Sequence, residues 1–181
     1  VGSIAALGGG KFTTNPGPVW PETVGLLLGA RVTPFRQGYG ETSKVLGGTG
    51  FAMGGSRVSQ QPGIDCNPDP FPAGPCTAQL TIPIAQQVSD YLAANGDRFT
   101  RDQIVFVQGG GNDISFQLGL LAEGLVSPGE AVAAVGQAAG ELAGQARRIV
   151  AKGATRGVVL NLPEIADTPA GNRPLTTISS V

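Results

Sequence analysis

Residues 104–113 read Ile-Val-Phe-Val-Gln-Gly-Gly-Gly-Asn-Asp. The first four are β-branched or aromatic and predict a buried strand. Three glycines then remove every side chain just before an amide and a carboxylate. Glycine tolerates positive φ and lets a ligand come within van der Waals contact of the backbone, which makes a main-chain N–H usable as a donor. Asn112 adds a side-chain NH2 that can point at an oxygen acquiring negative charge. Asp113 precedes Ile114-Ser115-Phe116 and is expected to cap the helix that follows. A direct chemical role for Asp113 is the alternative.

The elements on either side set the fold. Gly157-Val158-Val159-Leu160-Asn161-Leu162 predicts a second apolar strand, ended by Pro163. Between the two strands, Ser127-Pro128-Gly129-Glu130 opens a long Ala-rich helix through Val150, with Ser127 as N-cap and Glu130 at the capping-box position. Upstream, Ile84, Val88, Tyr91 and Leu92 recur at helical spacing from Ile82 to Asn95, and Gly96 stops that helix. A short helix is expected after Pro21-Glu22, ending at Gly29. Ser43 to Gly55 suits a buried strand leading into a tight loop. Strands buried on both faces and alternating with helices imply an α/β fold, a three-layer sandwich around a central parallel sheet. Residues 1–181 are expected to form a single α/β domain, with a polar, Pro-rich excursion at 56–81. In such a sheet, ligand chemistry belongs at the carboxyl ends of the strands.

Composition excludes several classes. With 181 residues, 41% of them apolar and 14% charged, the chain is globular in character, and its 29 Gly and 14 Pro cluster at turns. A net charge of -1 without a basic cluster gives no footprint for nucleic acid or anionic lipid. The apolar stretches fall well short of the roughly 20 residues that cross a bilayer, so no transmembrane segment is expected. Cys66 and Cys76 flank a Pro-rich loop of about ten residues, whose closure removes about 2 to 3 kcal/mol of unfolded-chain entropy. A disulfide is expected there, and with it a secreted or periplasmic home whose signal has been removed; two unpaired thiols are the alternative. No histidine and no further cysteine complete a metal-ligand set, and no cofactor is expected.

Four segments in order carry a resemblance. KFTTNPGPVW at Lys11 to Trp20, FAMGG at Phe51 to Gly55, GGND at Gly110 to Asp113 and VVLNLPEIADTPAG at Val158 to Gly171 resemble successive blocks of the SGNH hydrolases, also called the GDSL family of esterases and lipases. The resemblance implies the flavodoxin-like fold of that family, incomplete in this chain, and serine acyl transfer on a small-molecule or lipid ester. It also implies an oxyanion hole in which Gly55 gives its backbone N–H and Asn112 its side-chain amide, with Gly54 as the alternative backbone donor. Gly50 stands where the family usually has Asn.

Two blocks that the resemblance implies are missing: the Gly-Asp-Ser-Leu turn of the nucleophile and the late Asp-x-x-His. No histidine occurs anywhere, and Ser3 in VGSIAAL lacks the preceding Asp and reads as a loop or helix-start serine. The remaining catalytic segments are therefore expected outside this chain, and the chain alone is expected to be inactive. VLGGTGFAMGG is also similar to the glycine turn of short-chain dehydrogenases, which bind NAD(P). However, the glycine spacing differs, and neither Tyr39 nor Tyr91 has a lysine four residues on. A non-catalytic binding module on the same scaffold is the remaining alternative.

Overall fold

The computed structural model describes residues 17–38, 43–64, 66–68, 76–79, 81–164 and 167. The Lys11 to Pro16 part of the first block, Ser3, Tyr39, residues 168–181 and the side chains of Cys66 and Cys76 lie outside the described residues. Contacts divide the chain into two compact units, Val1–Gly54 with Asp65–Thr81, and Gly55–Ile64 with Ile82–Val181.

In the first unit, helix α1 spans Trp20–Leu27, with Pro21 in its first turn. Val19 has no side-chain oxygen to cap it, and Glu22 instead accepts the Val19 N–H at 3.1 Å. Gly29, at φ 71, ends the helix as expected. Strands β1 (Arg36–Gln37) and β2 (Lys44–Val45) pair antiparallel, as do β3 (Cys66–Pro68) and β4 (Cys76–Gln79). The buried strand expected from Ser43 to Gly55 does not form: Lys44 and Val45 are exposed, and the chain beyond them follows residues 33–35 through isolated bonds such as Gly50 N–H to Thr33 O at 2.8 Å. Glycine explains this. Gly47 takes φ 78, and a Cβ at Gly48 would lie 2.2 Å from the Thr33 carbonyl oxygen, so the segment is a close backbone approach rather than a side-chain ladder.

The second unit holds helix α2 (Ile84–Ala94), strand β5 (Val105–Val107), helix α3 (Gly111–Ala122), helix α4 (Pro128–Ala151) and strand β6 (Gly157–Val159). β5 and β6 run parallel, with Val105 opposite Gly157 and Val107 opposite Val159. The predicted apolar stripe of α2 faces inward: Ile84, Val88 and Leu92 are buried. At the start of α4, Ser127 Oγ accepts the Glu130 N–H at 3.3 Å and the Glu130 carboxylate accepts the Ser127 N–H at 2.8 Å, the reciprocal box that the sequence predicts.

Two apolar clusters form the core. Val88, Leu92, Phe99, Ile149 and Ala154 make one, with Val105 and Val107 against it. Val58, Ile84 and Ala138 make the other, with Val107 and Leu142 against it. Val107 touches both, so the inward face of β5 joins them. The cover departs from expectation, since Phe106 and its partner Val158 are 37% and 44% exposed, and Val159, opposite the inward Val107, is 54% exposed as well. Among the described residues the parallel pair is therefore not buried on both faces. The α/β character of the unit stands, with helices packed on the inward-facing valines.

Candidate active site

The carboxyl end of β5 shows what each glycine does. A Cβ at Gly109 would lie 2.2 Å from Ile84 Cδ1, so the missing side chain makes room for a core isoleucine. Gly110 takes φ 97 and turns the chain into α3, which begins at Gly111. At Gly111 itself an added Cβ would meet only an ordinary contact, Leu162 Cδ2 at 3.6 Å. The run thus serves packing and turning.

Because α3 starts at Gly111, Asn112 and Asp113 lie inside its first turn, and the expectation that Asp113 caps a helix beginning at Ile114 is corrected. Its carboxylate reaches away from its own helix, to the segment 55–58. Asp113 Oδ2 accepts the Val58 N–H at 3.0 Å and Oδ1 accepts Arg57 Nε at 3.3 Å. Asp113 is 2% exposed and Arg57 7%. The guanidinium also lies 4.2 Å from the Phe116 ring centre and donates from Nη1 to Pro62 O at 3.4 Å. An ion pair so far from water survives because its charges are matched and hydrogen-bonded.

Asn112 lies on the same side: its Nδ2 donates to Ser56 O at 2.7 Å. The sequence-predicted residues Gly55 and Asn112 are thereby brought into one neighbourhood, since the Asn112 amide binds the carbonyl of the residue after Gly55. Gly54, the alternative donor, is half-buried and belongs to the first unit.

The turn itself is held by its oxygens. Gly55, at φ 78, accepts Ile64 N–H at 3.0 Å, Ser56 O accepts Asn112, Arg57 O accepts Ile84 N–H at 3.1 Å and Val58 O accepts Ala85 N–H at 2.9 Å. Ser56 Oγ donates to Ile82 O at 2.7 Å and accepts from Gln87 Nε2 at 3.1 Å. All four residues, Gly55 to Val58, are buried. Four consecutive carbonyls are thus occupied, whereas the N–H groups of Gly55, Ser56 and Arg57 donate to nothing among the described residues. Main-chain N–H groups left over in a turn that includes a left-handed residue are the usual makings of an anion-binding concavity.

Sequence reasoning missed Arg57. The one available signal was a lone cation inside the small, apolar run GGSRV. An apolar recess of about 300 Å³, lined by residues such as Gly110, Ile114, Leu142 and Leu162, opens at the ends of β5 and β6. No group of three or more His, Cys, Asp or Glu side chains that could hold a metal occurs among the described residues. Nor is any helix among them long and apolar enough to cross a membrane.

This arrangement, a parallel strand pair under helices with glycine turns at a strand end, defines an α/β protein. Residues 3–179 match the family model described as GDSL-like Lipase/Acylhydrolase, and the chain belongs to that family of ester hydrolases. Neither the curated proteins nor the solved structures give a match.

Proposed function

We propose that this chain carries the oxyanion-stabilising part of a serine esterase or lipase of the SGNH type, on the three-layer fold of that family. In this reading the Gly55 N–H and the second N–H of the Asn112 amide face the oxygen of a tetrahedral intermediate formed on a small-molecule or lipid ester. Gly54 is the alternative backbone donor. Negative charge grows on that oxygen as the nucleophile adds, and donors fixed beforehand stabilise it without rearranging. Each such donor contributes about 3 to 4 kcal/mol to the transition state.

The observation that carries the reading is the 2.7 Å bond from Asn112 Nδ2 to Ser56 O, beside N–H groups that no oxygen among the described residues uses. The 181 residues hold no histidine, so the imidazole base and the activated serine are assigned to polypeptide outside them. The Cys66 and Cys76 pair, as a disulfide, would place the whole in an extracytoplasmic compartment.

The test uses p-nitrophenyl butyrate. The 181-residue chain is expected to hydrolyse it no faster than buffer. The parent polypeptide that includes the nucleophile and base is expected to lose about 100-fold or more in kcat with Asn112→Ala. Full activity of that variant would overturn the assignment of Asn112, and brisk turnover by the 181-residue chain would overturn the division of labour.

A further inference from the structure

We infer that Asp113 and Arg57 are positioning residues: their buried pair sets the direction of the backbone donor at Gly55 relative to the amide of Asn112. This inference rests on the reading of Gly55 and Asn112 as an oxyanion hole. It adds two residues that touch neither the substrate nor the reacting atoms.

The reasoning starts from adjacency along the chain. Asn112 and Asp113 are consecutive on the first turn of α3, and Ser56, Arg57 and Val58 are consecutive in the turn. Asn112 binds Ser56 O, while Asp113 binds both the Arg57 side chain and the Val58 N–H. Three bonds at three successive residues fix a short segment in translation and in rotation, which one bond cannot do. The two ends of the clamp use opposite chemistry, a donor from Asn112 and an acceptor from Asp113. A displacement that brought an N–H to the Asn112 amide nitrogen or a C=O to the Asp113 carboxylate would set like against like.

Arg57 supplies what the carboxylate alone lacks. A 2% exposed carboxylate needs a positive partner, and Arg57 provides it while its own guanidinium is held by the Phe116 face and Pro62 O. Phe116 lies on the same helix as Asp113, one turn on. The cation is thereby fixed by α3 twice, once through charge and once through stacking. Such a device governs the hole because catalysis by fixed donors is sensitive to small displacements, and a misplacement of about 1 Å can cost roughly 100-fold in rate.

The experiment has two arms. In the parent polypeptide, Asp113→Asn keeps an acceptor for the Val58 N–H and removes the charge, whereas Asp113→Glu keeps the charge. Asp113→Asn is expected to lower kcat by about 100-fold with KM changed by less than about twofold, and Asp113→Glu to recover part of that loss. In the Asn112→Ala background the same change is expected to cost several-fold less, because the alignment of the Gly55 donor with the Asn112 amide that the pair fixes has already lost one of its two members. Equal losses in both backgrounds, or no loss in kcat, would overturn the proposal. Arg57→Lys against Arg57→Gln repeats the comparison should Asp113→Asn not fold, with Lys retaining more activity than Gln.

The second arm uses the 181-residue chain alone. The amide resonances of Gly55 and Ser56 and the side-chain NH2 of Asn112 are expected to move in Asp113→Asn and less in Asp113→Glu. Unmoved resonances in a folded variant would overturn the proposal. Full activity of Asn112→Ala in the parent would instead sink the oxyanion-hole reading, and the resonances would still report whether the pair orients the turn.

Discussion

The fit between Gly109 and Ile84 gives a sharp energetic prediction. A Cβ at Gly109 would lie 2.2 Å from Ile84 Cδ1, 3.4 Å from Leu142 Cδ1 and 3.7 Å from Val58 Cγ2. The last two are bearable; the first forces the isoleucine tip to move. Ile84 is 8% exposed and packs with Val58 and Ala138, so it has no open side to rotate into. Overpacking of this kind costs about 1 to 3 kcal/mol. Gly109 does not adopt a positive φ, so alanine also gains about 0.4 to 1 kcal/mol by restricting the unfolded chain. The net expectation for Gly109→Ala is a loss of about 1 to 2 kcal/mol. Ile84→Val deletes the clashing Cδ1 and costs about 0.5 to 1.5 kcal/mol on its own. Together the two changes fill each other's space, and the double variant should lose no more than Ile84→Val alone, a coupling of about 1 to 2 kcal/mol. Urea unfolding of the four proteins followed by circular dichroism measures this. Additive losses would refute the argument that Gly109 is glycine because Ile84 needs the room.

Glu130 yields a pH prediction. Hydrogen bonds from the Ser127 N–H and hydroxyl hold its carboxyl below the ordinary value of 4.5. A lowered native value means that the box supports the start of α4 fully above pH 4.5 and is lost as pH falls through the lower native value. Carbon-13 titration of the Glu130 carboxyl should give a midpoint below 4.5 that returns towards it in Ser127→Ala, and an unchanged midpoint would contradict the box. For Cys66 and Cys76, alkylation of the unfolded chain before reduction should label neither residue and afterwards both. Labelling beforehand would remove the argument for export.

Helices were easy to read in the sequence because their signals are local. The i, i+4 spacing of Ile84, Val88 and Leu92 and the Ser127–Glu130 box each act within one or two turns, and the structure carries both. β5 was legible from its β-branched and aromatic residues, and its parallel pairing with β6 from the intervening helices. What was lost depends on distant partners. Nothing near Arg57 says that its carboxylate lies 56 positions on, and nothing near Asp113 says that its acceptors turn away from the helix it begins. The expected strand at 43–55 does not form because glycines interrupt its apolar residues and bring the backbone against Thr33. The apolar residues of β5 and β6 suggest burial on both sides, but exposed Phe106 and Val159 show that hydrophobic composition alone does not establish cover.

The occupied carbonyls of residues 55–58 give the turn a permanent polarity. Peptide planes in open loops can rotate and offer either an oxygen or a hydrogen to a visitor. Here, flipping the Gly55–Ser56 peptide would break the bond from Ile64, and flipping the next would break the bond from Asn112. With its oxygens taken, the turn has only hydrogens left to offer, which on the proposed reading suits an anionic oxygen and would not suit a metal cation or an ammonium group.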